Sequence, residues 1–335
     1  MNAAFTLCSI NYLAQAKTLY DSIHKSNPSW CFIIGLVDKN VTNVDLSFLG
    51  CEVLEVEKIG IDRFDDMVNS YSIVEFITAV KPFYFGYLFK SHPEIDKLIY
   101  FDPDIMVLNS LSGLENKLEG SDIVLTPHFT KPIQDSFLPT EKHVFSTGVF
   151  NLGFLAVRRS ANTLNMLKWW QDKLGTECIL DLSRGYFVDQ LWMNLVPAYF
   201  DKVLIDKYPG HNMAHWNLHE RFITESSEGF LVNGAPLVFY HFSHFHPGKP
   251  NEIAAYHTRY SFDNRPDLKL LFRTYTDSLL KNNYYEFKKV RCHYMRNEGK
   301  KRMKTTVKAF LRRNTPLGLK IKLSKLLRRI TASHS

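Results

Sequence analysis

Between residues 97 and 107 an apolar run, Leu98 to Phe101, meets two carboxylates, Asp102 and Asp104, and a second apolar run starts at Ile105. A short continuous apolar run is the pattern of a strand buried on both faces, typical of a parallel sheet covered by helices. Such a sheet needs crossover connections, so this run constrains the rest of the chain to alternate strand and helix. The two acids fall at the carboxyl end of the strand, where open α/β sheets bind their ligands. Two carboxylates held a few ångströms apart repel, and each raises the other's pKa. A hard divalent cation with a preference for oxygen is the ordinary compensator. The structural alternative is an exposed Asp-Pro-Asp turn, with Pro103 fixing the bend.

The flanking chain has the required alternation. Strands are expected over 3–10, 31–37, 51–56, 122–127, 150–157 and 237–242. A helical pattern runs through Leu13, Ala16, Leu19, Tyr20 and Ile23 until Asn27-Pro28 breaks it. Another runs from Tyr71 to Phe89, where Pro82 should kink it or split it in two. Ser160 should cap a helix to Leu174, and 188–195 reads as a short helix. Residues 128–147 lack periodicity, and a loop of that length in a compact domain is usually functional or mobile.

At 335 residues and 45% hydrophobic content there is ample material for a core. The five cysteines are an odd number without a CxxC pair, which suggests neither a disulfide framework nor a zinc site and fits a reducing cytosol. The net charge of +7 conceals an asymmetry: residues 281–335 carry 17 Lys and Arg against 2 acids, so the body is acidic. The chain therefore divides into a body, 1–260, and a basic helical C-terminal region, 261–335. After Pro316, Leu319, Leu323, Leu326, Leu327 and Ile330 recur at helical spacing among Lys and Arg. That basic amphipathic pattern suits docking on an anionic membrane surface. No run approaches the roughly 18 apolar residues of a membrane span, and the start lacks a basic leader with a cleavage site. A nucleic-acid partner is not expected, because the body is acidic and aromatic and basic residues do not interleave.

Three histidines, His241, His244 and His246, follow the last expected strand, and Gly248-Lys249 comes next. On an extended chain 244 and 246 share a face and 241 takes the other, so one ligand is the expected count unless the chain turns. Asp102, Asp104 and one imidazole suit Mn²⁺ better than Mg²⁺. An open backbone and a cation beside them suit a phosphate group. Together these groups fit displacement of a diphosphate from carbon, as in transfer from a nucleotide sugar.

Four segments, in order over about residues 4–260, resemble the GT-A fold glycosyltransferases. The resemblance is to the retaining, metal-dependent group that includes glycogenin and the lipopolysaccharide galactosyl- and glucosyltransferases. The segments are Leu98 to Asp104, Phe150-Asn151-Leu152-Gly153, Asp189-Gln190, and His241-Phe242-Ser243 with Gly248-Lys249-Pro250. The resemblance implies a Rossmann-like, mostly parallel sheet flanked by helices. It implies Asp102, Asp104 and His241 as ligands of Mn²⁺ or Mg²⁺, with Asp102 also near the ribose. Lys249 would hold the diphosphate, Asn11 and Tyr12 would lie near the base, and Lys81 would face the donor. Asn151 and Asp189 would contact the donor sugar, and Gln190 would lie under the anomeric carbon. The glycine that the family places after His241-Phe242-Ser243 is His244 in this chain, which leaves His241 and His244 as alternative ligands. Gln190 is a poor nucleophile, and Asp189 is the better one on chemistry. The dense segment 211–221 is expected to line the donor or acceptor pocket.

The implied activity is transfer of a sugar from a nucleotide diphosphate sugar, UDP-linked, to a glycan or lipid-linked acceptor. A nucleotidylyltransferase is the first alternative, but such enzymes carry a glycine-rich loop after the first strand, and Ser9-Ile10-Asn11-Tyr12 has no glycine. A non-catalytic sugar-binding or scaffold protein is the second, and the intact acid pair argues against it.

Overall fold

The computed structural model describes residues 1–297 apart from Thr42 and Glu228. Contacts group Met1–Tyr294 into one compact unit, and a second begins at Met295. Residues 261–294, grouped with the tail on sequence, therefore belong to the body. The basic segment 316–335 lies outside the described residues.

The expected α/β class is what the chain forms. Its strands are β1 (Asn2–Cys8), β2 (Cys31–Leu36), β3 (Glu52–Glu55), β4 (Lys97–Phe101), β5 (Ile105–Val107), β6 (Ile123–Leu125) and β7 (Phe154–Arg158). With Val203–Ile205 at one edge, the main sheet has the order Val203–Ile205, β6, β7, β4, β1, β2, β3. β1 pairs in parallel with β2 and β4, β2 with β3, and β6 with the edge strand. Only β7, inserted between β4 and β6, runs antiparallel to its neighbours.

All five residues of β4 are buried. Ile99 and Phe101 enter one core with Ala4, Cys8 and Ile34, while Leu98 and Tyr100 enter the other with Ala3, Phe5 and Leu7. This alternation is the two-residue period of a strand covered on both sides. Full burial of each such side chain contributes about 1.5–3 kcal/mol, so both faces hold the strand in place.

Helices cover the two faces. α1 (Leu13–Ser26) buries Leu13, Ala16, Leu19 and Ile23 on the first core. α2 (Phe64–Ser70), α3 (Ile73–Ala79) and α4 (Lys81–Ser91) cover the second. The helix expected over 71–89 is split at Pro82, which stands in the first turn of α4, where no N–H partner is needed. α5 (Ser112–Gly120) and α6 (Glu141–Thr147) follow, and then α7 (Ala161–Glu177), which Ser160 caps as expected. The segment read as a short helix over 188–195 is a 3₁₀ turn, Gln190–Leu195, leading into α8 (Val196–Tyr199). α9 (Lys269–Lys281) and α10 (Tyr284–Lys288) close the first core against α1. Among the described residues no helix is long and apolar enough to cross a membrane.

One departure from the main sheet builds the site. After Asp104 the chain leaves it, and β5 pairs antiparallel with Phe239–His241, which in turn pairs with Met213–Ala214. The register sets His241 opposite Ile105. This three-stranded patch carries a residue late in the chain to the end of β4.

The expected loop over 128–147 contains α6 and is pinned. The Arg259 guanidinium donates to both Asp135 carboxylate oxygens and to the carbonyls of Phe137 and Pro139. Glu220 accepts from the Thr130 N–H and hydroxyl.

Candidate functional site

Asp102, Pro103 and Asp104 form the turn between β4 and β5, closed by the Ile105 N–H on the Asp102 carbonyl at 3.1 Å. The Asp102 N–H donates to the Gly153 carbonyl at 2.7 Å, and the Phe242 N–H to the Asp104 carbonyl at 2.9 Å. The backbone is thus fixed on both sides. His241 Nε2 lies 3.0 Å from Asp104 Oδ1 and 3.8 Å from Asp102 Oδ2. One atom from each of the three residues falls within 4.8 Å of the others, so the group could hold a metal ion. His244, the alternative ligand, is exposed and sits at φ +59° beside Tyr256, outside this group.

The electrostatics fit a cation. Burial pushes Asp102 up, against the pull of Lys81 and His241. Burial acts on Asp104 as well, but the charge and hydrogen bond of His241 hold it below the usual carboxylate range. Burial would lower His241, and Asp104 beside it raises it instead. Lys81 and the imidazole, whose hold on a proton is raised, offset the two acids, and a divalent ion would take the place of a proton on Nε2. Tyr100, one strand period before Asp102, donates its hydroxyl to Asp102 Oδ1 at 2.5 Å. Burial and that carboxylate push the Tyr100 hydroxyl well above its usual range, so it stays a donor.

A second layer sets the imidazole. His241 Nδ1 faces Asn151 Oδ1 at 3.3 Å, and the same oxygen accepts from the Gly153 N–H at 3.2 Å and from Asn212 Nδ2 at 3.0 Å. A backbone N–H can only donate, so this atom of Asn151 is the oxygen and Nδ1 of His241 carries the proton. Nε2 is left to face the acids, the tautomer a metal ligand needs. Trp216 packs edge-on against His241 with ring centroids 5.2 Å apart. Segment 211–221, expected to line a pocket, instead supplies this backing: Asn212, His215, Trp216 and Asn217 are buried.

Lys81, Asp189 and Gln190 meet on the other side of β4. Lys81 Nζ lies 2.6 Å from Asp189 Oδ2, donates to the Leu152 carbonyl at 2.8 Å, and stands 4.3 Å from the Tyr100 ring centroid. Both charges are buried, a pairing that is strongly destabilising to break from one side. Gln190 Oε1 accepts from the Leu152 N–H at 3.1 Å, and its Nε2 donates to the Thr147 carbonyl at 2.9 Å. The Asn151 amide nitrogen is 3.5 Å from the same Oε1. Asn151 therefore links the two halves of the site.

Tyr12 and Asp104 line a cavity of about 170 Å³ with Gln15, His244, His246 and Lys288. An apolar cavity of about 150 Å³ holds a benzene ring, so this one has room for a ring or a phosphate group. Burial and the nearby Asp104 push the Tyr12 hydroxyl up to about 12. Asn11 lies just before it and accepts from the Ser9 hydroxyl at 2.5 Å. Lys249 does not line this cavity; it is exposed and pairs with Glu252 at 3.1 Å. A larger cleft, about 730 Å³, lies between α4 and α7 and contains none of the candidate residues.

The sequence reading assigned no role to Tyr100, Gly153 or Lys288, and took Asn212 and Trp216 only as members of segment 211–221. Only Tyr100 carried a local signal, since residues two apart on a strand share a face. The others reach the site by long-range packing.

No family model matches the chain. The Bacillus subtilis strain 168 protein named "Uncharacterized protein YfnF" is 26% identical over 290 residues, 83% of this chain and 92% of that one. YfnD of the same organism, also named as uncharacterized, is 22% identical over 173 residues, 51% of this chain and 54% of its own. Among solved structures, the galactosyltransferase LgtC, in complex with donor and acceptor sugar analogs, is 14% identical with a TM-score of 0.47, covering 83% of this chain and 95% of its own. The glycosyltransferase GlyE of Streptococcus pneumoniae TIGR4 is 15% identical with a TM-score of 0.46, covering 87% and 66%. At these identities no residue's role passes from one chain to another, and roles rest on the geometry above.

Proposed function

We propose that the protein is a metal-dependent glycosyltransferase of the GT-A type. It moves a sugar from a nucleoside-diphosphate sugar, UDP-linked, to a glycan or lipid-linked acceptor, with retention at the anomeric carbon. The observation that carries this reading is the Asp102–Asp104–His241 group at the end of a buried strand, beside a ring-lined cavity. Two carboxylates and one imidazole with a fixed tautomer match Mn²⁺, with Mg²⁺ the alternative. A bound ion there supplies positive charge to the leaving diphosphate.

The remaining roles belong to side chains. Tyr12 offers a face to the base. Asp189 and Asn151 are held rigidly enough to orient a sugar, Asp189 by Lys81 and Asn151 by Asn212 and Gly153. Asp189 is anchored by its ion pair, and Gln190 has no basic form and spends its amide on the backbone. Both are better fitted to stabilising a short-lived oxocarbenium-like ion pair than to attacking it. The acceptor then enters on the face the diphosphate leaves. The Gln190 contact with Thr147 places α6 next to this centre, and Phe145 on α6 is exposed. An exposed aromatic in that position suits an acceptor sugar ring or a lipid carrier. The basic tail supports docking to an anionic membrane face.

The test is incubation of the full chain with Mn²⁺ and a panel of UDP-sugars. Binding, with slow hydrolysis of one donor, is the expected result. Neither binding nor hydrolysis across the panel, with or without metal, would overturn the reading.

A further inference from the structure

The loaded site poses a charge problem. A divalent ion carries two positive charges and already faces two carboxylates, Asp102 and Asp104, so the added negative charge of a diphosphate on that ion is left unbalanced. Lys81 is committed to Asp189 at 2.6 Å, buried behind Tyr100. Lys249, two residues past the cavity wall, is paired with Glu252. A further cation has to face the cavity.

α10 supplies one. Asn283, at φ +60°, turns the chain after α9, and Asn282 anchors that turn by donating to the Thr18 hydroxyl and the Asp21 carboxylate of α1. Phe287 stacks on Phe48 with ring centroids 5.3 Å apart, and Tyr284 is buried. Positions 284 and 288 share one helix face, and both line the cavity that holds Tyr12 and Asp104. Lys288 Nζ stands 5.1 Å from the Tyr12 ring centroid. Among the described residues Lys288 has no carboxylate partner, whereas the neighbouring Lys289 is paired with Glu286. The ammonium is held at the cavity by a packed helix and is free to meet an anion.

We propose that Lys288 is the cation that receives the donor's diphosphate, and that α10 is a wall of the donor pocket. The assignment rests on the nucleoside-diphosphate reading given above and goes beyond it, because it places this contact on an element outside the four motif segments. The ammonium rests over the Tyr12 ring. A base stacking on Tyr12 displaces it toward the phosphates.

The experiment is calorimetric titration of UDP and of uridine, each with Mn²⁺, into the full chain and its Lys288→Met and Lys249→Met variants. Lys288 is exposed, so its replacement leaves the fold intact. A charge-assisted phosphate contact predicts about 10- to 100-fold weaker UDP binding by Lys288→Met. Uridine binding should change less than about twofold, since the base loses no ionic contact. UDP binding by Lys288→Met that equals wild type overturns the assignment, as does an equal loss for uridine, which would mean that the pocket wall had collapsed. A loss confined to Lys249→Met gives the role to Lys249 and refutes it too. If the wild-type chain binds no UDP, the donor reading itself fails and the assignment falls with it.

Discussion

Gly153→Ala tests whether the metal group is held as tightly as the geometry implies. A Cβ at 153 would stand 2.3 Å from Cε1 and 2.7 Å from Nδ1 of His241, and 2.9 Å from Asn151 Oδ1. Carbon atoms pack best at about 3.5–4.0 Å, so the imidazole would have to withdraw by roughly 1 Å or more. It has little room to do so. His241 is buried, lies edge-on against Trp216, and belongs to a strand whose register with β5 is fixed. Overpacking of this kind costs about 1–3 kcal/mol of stability. Disturbing the group that orients a metal ligand typically costs about 10- to 100-fold in metal affinity. Gly175→Ala is the control, because an added Cβ there meets nothing within 4 Å. Inside α7 it should stabilise the fold by about 0.5–1 kcal/mol. Mn²⁺ binding followed by electron paramagnetic resonance, with urea unfolding of the same samples, reads both effects. A Gly153→Ala chain that binds Mn²⁺ and unfolds like wild type would refute the tight approach of residue 153 to the imidazole.

Four further outcomes are expected. Asp104→Asn removes the carboxylate nearest His241 Nε2 and should abolish Mn²⁺ binding while the chain still folds; retained binding would exclude Asp104 as a ligand. Asn212→Gly suits the φ of +52° at this position and removes the donor to Asn151, and Mn²⁺ affinity should fall roughly 10-fold; calorimetry showing no change would mean that Asn151 holds the imidazole unaided. Burial brings His128 down to about 4, so the unfolded chain takes up its proton first as pH falls below 6.5. Stability is therefore present above that pH and is lost toward pH 4, by about 2 kcal/mol between pH 7 and pH 5. His128→Gln should lose that much less in urea melts at the two pH values, and an identical loss would refute the assignment. Deleting residues 316–335 should release the protein from anionic liposomes in a sedimentation assay, and undiminished binding would exclude the tail as the anchor.

The sheet was legible because its strands obey a local rule. The run from Leu98 to Phe101 is apolar at every position, and only a strand covered on both faces accommodates that. Pro82 likewise marked the break between α3 and α4 from its own chemistry. β7 was harder to read: its apolar run identifies a strand, but direction depends on which neighbours it slides between, and no residue within it records that. The site divides along the same line. Asp102, Asp104 and Asn151 stand at strand ends and could be found by position. His241 could be named but not chosen over His244, since the choice depends on the pairing of Phe239–His241 with β5 and on the turn at His244. Lys249 and Lys288 show the limit of motif spacing most clearly. A lysine beside the histidine cluster is legible as a phosphate partner, yet the chain folds it onto Glu252. A lysine 47 positions after His241, inside a charge-rich segment that reads as tail, is brought by Asn283 and Phe287 to the cavity shared by Tyr12 and Asp104. Which of two cations reaches the cavity is decided by the element that carries it, and the position of α10 is a property of the packed core.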